Sequence, residues 1–190
     1  MIYIVNGFPG SGKTTFEDKV CQIVGDGSFG FKLSTVDFVK SLARQCGWDG
    51  TKDLHNRKFL SDLKDLLTQW DDVPYKKIEN SIELIKADFR EYDIDFEKAA
   101  IFVDCREPEE IKKLCDGLNA KSLLIRRGRD VNTETSNHAD AEVLNYNYDI
   151  IINNDGTLYD LTQKAFQFIR DEDLYMPDKD FQVDIFGNIK

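Results

Sequence analysis

Ile2-Tyr3-Ile4-Val5-Asn6-Gly7-Phe8-Pro9-Gly10-Ser11-Gly12-Lys13-Thr14 opens the chain with a short apolar run, a glycine-rich turn and a Lys-Thr pair. From Phe16 the apolar residues recur at helical spacing, through Val20, Ile23 and Val24, and the period stops at Gly25. Residues 7–14 fit G-x-x-x-x-G-K-[ST] in full, between a buried strand and a periodic helix. Glycines at this spacing let the backbone curl so that successive N–H groups face phosphate oxygens. The helix that follows adds the positive end of its dipole. Gly7, Gly10, Ser11 and Gly12 then form a cradle for a nucleoside triphosphate, with Lys13 reaching the β- and γ-phosphates. The Thr14 hydroxyl is placed to ligate Mg²⁺, and Thr15 to help hold the α-phosphate.

Outward from this loop, short apolar runs alternate with helical periods. Residues 31–36 read as a second strand. Asp37 is placed to cap a helix that carries Phe38, Leu42, Ala43 and Cys46 and stops at Gly47. A helical insertion follows, with one helix marked by Phe59 to Trp70 and another opened by Pro74 and carrying Ile78, Ile82, Ile85 and Phe89. Trp48 and Trp70 read as packing residues of this region. Ala99 to Val103 is apolar throughout, as a strand covered on both faces should be. Pro108 opens the next helix, Ser122 to Ile125 is a fourth strand, and 127–137 is a polar loop. A short helix is expected over Ala139 to Leu144, a fifth strand over Tyr148 to Ile152. Thr157 and Asp160 then form a capping box at the head of the last helix. This alternation predicts an α/β protein with a parallel sheet and right-handed crossovers; joined to the glycine loop, it resembles a P-loop NTPase three-layer sandwich.

The 190 residues suit one domain, here 1–170, with residues 171–190 as a tail. The tail is acidic and then alternates at Phe181, Val183 and Ile185, compatible with an added strand, an oligomer arm or disorder. There are 35 acids against 25 bases, a formal net charge of −10, so a broad nucleic-acid face is disfavoured and any anion site must be local. None of the four cysteines forms a C-x-x-C pair, which points to reduced thiols in the cytoplasm rather than a zinc ribbon. The N-terminus lacks a basic leader, and no apolar run reaches membrane-span length, so neither a signal peptide nor a membrane partner is expected.

The third strand ends Ile101-Phe102-Val103-Asp104, a Walker B pattern that places Asp104 as a candidate Mg²⁺ residue. Cys105-Arg106 follows instead of a second acid, and no N-K-x-D signature of a GTPase occurs. Arg126, Arg127 and Arg129 cluster after strand four, three guanidinium groups suited to phosphate oxygens in an acidic chain. Asp37 lies at the C-terminal end of strand two, where α/β sheets place ligands. His138, Asp140 and Glu142 do not make a metal site, since helix positions two apart do not share a face.

Taken together, the early P-loop, the helical insertion, Asp104-Cys105-Arg106, the Arg-bearing loop and Asn154-Asp155-Gly156 resemble the nucleoside monophosphate kinase group of P-loop kinases. Ser136-Asn137-His138-Ala139-Asp140-Ala141-Glu142 and Tyr148 to Gly156 look most like phage-type deoxynucleoside monophosphate kinases and the similar animal-type phosphomevalonate kinases. The resemblance covers most of residues 1–170. It implies a five-stranded sheet of order 2-3-1-4-5, an acceptor-binding insertion over about 38–92 and a short lid over about 126–138. It further implies that Arg106 and Arg57 hold the acceptor phosphate, that Arg126, Arg127 and Arg129 act as lid arginines, and that Asn154 and Gly156 lie along the nucleotide base. The implied ligands are ATP, Mg²⁺ and a small nucleotide acceptor bound by a monomer or homodimer. The same chemistry on phosphomevalonate, and an ATP-binding regulatory protein without an acceptor, stand as alternatives.

Overall fold

The computed structural model describes residues 1–25, 27–51, 53–128, 143–178 and 180–189. Its parallel sheet contains β1 (Ile2–Asn6), β2 (Gly30–Ser34), β3 (Ala100–Asp104), β4 (Lys121–Arg126) and β5 (Ile150–Asn153), in the order β2-β3-β1-β4-β5. This is the sheet order that the resemblance implied. Between the strands run α1 (Lys13–Val24), α2 (Asp37–Gln45), α3 (Leu54–Asp71), α4 (Val73–Glu91) and α5 (Pro108–Leu118), and α6 (Leu158–Asp171) follows β5. Among the described residues, no helix is long and apolar enough to cross a membrane.

The chain divides into two compact units, Met1–Lys32 with Asp95–Lys190, and Leu33–Ile94. In the first unit β1, β3 and β4 are buried on both faces, and the alternation of side chains decides what each face meets. Tyr3 and Val5 of β1, Ala100 and Phe102 of β3, and Leu123 and Ile125 of β4 point into one cluster. It also holds Phe16, Val20, Ile23 and Val24 of α1 and Leu161, Ala165, Phe168 and Ile169 of α6. The Phe168 ring meets Tyr3 at 4.9 Å and Phe16 at 5.4 Å, both edge-on. Burying each such side chain contributes roughly 1.5–3 kcal/mol. The residues of opposite parity, among them Ile4, Ile101 and Leu124, are as deeply buried. Ile4 and Leu124 lie on the side of α5, which packs on β1 and β4 and buries Ile111 and Leu114.

The last helix starts as its sequence dictates. Thr157 accepts from the Asp160 backbone N–H at 3.2 Å, and the Asp160 carboxylate accepts from that of Thr157 at 2.7 Å. Beyond α6 the chain turns back on the same unit. Tyr175 stacks on Phe29 at 3.9 Å, Phe181 meets Phe166, and Val183 pairs antiparallel with Ile189. The Thr162 hydroxyl donates to the Gly187 carbonyl at 2.9 Å.

The second unit is helical. α2 packs on α3 and α4, and α3 on α4. α4 buries Pro74, Ile78, Ile82 and Phe89, α2 buries Val39 and Ala43, and Trp48 is held by Nε1–H donating to the Thr51 carbonyl at 3.0 Å. Two sequence expectations fail here. Asp37 is not an N-cap: Val36 occupies that position with near-helical dihedrals and no side-chain cap, and Asp37 is the first helical residue, with Lys40 at 3.5 Å. Trp70 does not pack inside the unit. It is 75% exposed, and α3 buries none of its residues. The helix meets its neighbours only through half-buried positions, so its apolar stripe was read as deeper than it is.

Candidate functional site

Pairing in the first unit brings four strand ends to one edge. Val5 lies beside Asp104, Asn6 beside Leu124, and Arg126 beside Asn153. The glycine-rich loop leaves β1 at this edge. Gly7 has a positive φ of 151°, and a Cβ there would lie 2.2 Å from the Ile125 carbonyl oxygen and 2.9 Å from Ser11 Oγ. Gly12 has φ 100°, and a Cβ there would lie 2.3 Å from Asn154 Nδ2. Glycine is therefore demanded at both positions by backbone angle and by space. The loop closes on itself through the Ser11 N–H, which donates to the Phe8 carbonyl at 3.1 Å, and α1 follows at once.

α1 begins without a side-chain cap and with no acid in its first turn. Its N-terminal N–H groups and dipole thus face the loop uncompensated by any carboxylate of that turn. Ser11 is fully buried and its Oγ has no hydrogen-bond partner. An orphan hydroxyl, an uncapped helix start and a cradle with no room for Cβ atoms fit a bound phosphate chain. Lys13 folds over the loop, its Nζ donating to the Gly7 carbonyl at 2.6 Å and the Phe8 carbonyl at 3.4 Å. Thr14 and Thr15 are exposed on the first turn of α1.

Two asparagines brace this loop from either side, and sequence reading gave neither that part. Asn6 Oδ1 accepts from the Gly7 N–H at 2.8 Å, and its amide donates to the Arg106 carbonyl at 3.2 Å and the Tyr148 hydroxyl at 2.8 Å. Tyr148 in turn donates to the Val143 carbonyl. Burial pushes its phenol up to about 12, so it stays protonated as a donor. Asn154, which the resemblance set along the nucleotide base, is 2% exposed, and its amide donates to the Ser11 carbonyl at 2.8 Å. No sequence signal marks Asn6 beyond its place between a strand and the first glycine.

Asp104 is half-buried at the end of β3, and the next residue, Cys105, is buried with Sγ 3.0 Å from Glu110 Oε2. Arg106 is exposed one residue further on. Arg126 donates from Nε to Asn153 Oδ1 at 2.8 Å, and its carbonyl accepts from the Asn154 N–H at 2.7 Å. Arg127, Gly128, Asn154, Asp155 and Gly156 line a cleft at this edge. Arg129, most of the expected lid and the start of the expected 139–144 helix lie outside the described residues; Val143–Asn145 is a short 3₁₀ turn. Asp37 and Arg57 belong to the helical unit, where both are exposed, Arg57 in the first turn of α3.

One acid went unnoticed. Glu17 of α1 is 2% exposed, and its Oε1 has no hydrogen-bond partner. Burial, and then the nearby Asp104 charge, push its carboxyl up to about 8, against the pull of Lys13 and Lys32. The signal was present in the sequence: Glu17 sits inside the apolar stripe of Phe16, Val20, Cys21 and Val24, where a charge is out of place. Asp104, Glu17 and the Thr14 hydroxyl are hard oxygen donors, the ligand class of Mg²⁺. Among the described residues there is no cluster of three or more His, Cys, Asp or Glu that could hold a metal alone.

No protein-family model matches the chain, and no curated protein does. Among solved structures, TT1252 from Thermus thermophilus is 18% identical with a TM-score of 0.42, over 90% of this chain and 97% of that one. A dephospho-CoA kinase from Campylobacter jejuni is 19% identical with a TM-score of 0.38, over 90% of this chain and 96% of that one.

Proposed function

We propose that this protein transfers the γ-phosphate of ATP to a phosphate group of a small acceptor, a nucleoside or deoxynucleoside monophosphate. The observation that carries the reading is the loop itself. Lys13 lies across a glycine cradle at the uncapped start of α1, on the same sheet edge as Asp104 and Arg126. Phosphoryl transfer requires little covalent participation from the protein. It requires positioning, and positive charge around the phosphoryl group in flight.

In this reading the loop N–H groups and the α1 dipole bind the β- and γ-phosphates. Lys13 leaves the Gly7 carbonyl to follow the γ-phosphate, and Gly7, Gly10, Ser11, Gly12 and Thr15 line the phosphate path. Thr14 and Asp104 would hold Mg²⁺, which neutralises charge between the phosphates when bound. Arg106 grips the acceptor phosphate, while Arg126, Arg127 and Arg129 supply guanidinium groups to the transferring oxygens. Asn154 steadies the loop, and Gly156 lies along the base, as the resemblance implies. The role of Arg57 toward the acceptor rests on the sequence resemblance, and that of Asp37 on its place just after strand two.

The test is ADP release from Mg-ATP with ribo- and deoxyribonucleoside monophosphates and phosphomevalonate as acceptors. One monophosphate should stimulate turnover strongly, and Lys13→Ala should lower it by roughly 10²–10³-fold or more without unfolding the protein. Stimulation by phosphomevalonate alone would replace the acceptor. Tight ATP binding with no acceptor response would favour a regulatory protein, and full activity in folded Lys13→Ala would sink the mechanism.

A further inference from the structure

We propose that Glu17 is a second carboxylate of the Mg²⁺ site, supplied by α1 in place of the acid that does not follow Asp104. The inference rests on the nucleotide reading above. Glu17 lies three residues beyond Thr14 and four beyond Lys13, so one face of α1 presents all three toward its N-terminal end. Asp104 ends β3, the strand on which α1 packs, and among acids its charge acts most on Glu17.

The argument is one of unmet demand. A buried carboxylate costs stability unless it is paired or hydrogen-bonded. Glu17 is 2% exposed, and Oε1 has no hydrogen-bond partner. The surrounding cations already have acceptors. Lys13 donates to the Gly7 and Phe8 carbonyls, and Lys32 pairs with Asp18. A divalent cation beside the loop relieves Glu17 and Asp104 together. Mg²⁺ keeps several waters, so a carboxylate can hold it through its hydration shell without direct ligation. In such a site the carboxylate is retained because the metal-bound state needs it, although the metal-free fold would be better off without it.

The experiment is calorimetry of the non-hydrolysable ATP analogue adenylyl imidodiphosphate, in Mg²⁺ and in EDTA, on the full chain and on Glu17→Gln. In the unaltered protein Mg²⁺ should tighten binding. In Glu17→Gln that gain should fall about tenfold or more, the usual cost of losing an outer-shell partner, with affinity in EDTA unchanged. Glu17→Gln should also melt at a higher temperature than the unaltered protein when metal and nucleotide are both absent. An undiminished Mg²⁺ gain would overturn the inference, and so would a lower melting point with the gain intact, which marks a structural carboxylate. Should the amide variant not fold, Glu17→Asp replaces it, and its Mg²⁺ gain must fall too. An unaltered protein that binds the analogue in neither buffer defeats the nucleotide reading itself, an outcome distinct from failure of Glu17 alone.

Discussion

The glycine loop and α3 are built by opposite means. The loop is held at both ends: Gly7 has no space for a methyl group, Asn6 ties the Gly7 N–H to the turn after β3, and Asn154 ties the Ser11 carbonyl to the end of β5. α3 buries none of its residues and exposes Leu54, Leu66 and Trp70. Such a difference means that the free energy of opening differs between regions, with a helix held by half-buried contacts at the low end. The glycine loop is held in one shape, and α3 is the helix whose displacement costs least.

The sharpest way to break this contrast is at the loop. Gly7→Ala places a methyl group against the Ile125 carbonyl at a backbone angle that alanine avoids. It should cost about 3 kcal/mol or more in urea unfolding, or prevent folding. A neutral result would mean that the loop is not as tightly determined as its contacts indicate. Asn154→Ala comes next. It strips the Ser11 carbonyl of its donor, and a buried acceptor left without one costs about 1–3 kcal/mol. ATP affinity should weaken with it, since the loop loses a brace; unchanged affinity together with unchanged stability would remove Asn154 from the site. The smallest effect is expected on α3, where Trp70→Ala should change stability by less than about 0.5 kcal/mol despite deleting the largest side chain of the helix. A loss of several kcal/mol there would show that the tryptophan is covered in solution.

The sequence was most legible where one element controls its own geometry. The glycine spacing of residues 7–14, the apolar run that leads β3 to Asp104, Pro108 at the head of α5 and the Thr157–Asp160 box are local signals, and each appears in the structure. What could not be read depends on partners far along the chain. Asn6 meets Tyr148 across 142 positions, and Asn154 meets Ser11 across 143. Trp70 and Leu66 carry the right spacing for a buried stripe, but spacing alone does not say that anything lies against it. Glu17 is legible in principle, a charge inside an apolar stripe, but a charged residue on a helix faces solvent by default and its position alone does not say that it is buried.

The Lys13 latch has a consequence for selectivity. Its ammonium already has two carbonyl acceptors, so an arriving anion does not meet a bare charge. In taking these carbonyls' place it gains only the excess of an ion pair over an ion–dipole hydrogen bond. A singly charged or neutral visitor offers little excess. A polyphosphate, which engages the lysine, the helix start and the loop N–H groups at once, offers several. On the nucleotide reading proposed above, the latch acts as a threshold on ligand charge, set by the protein's own backbone.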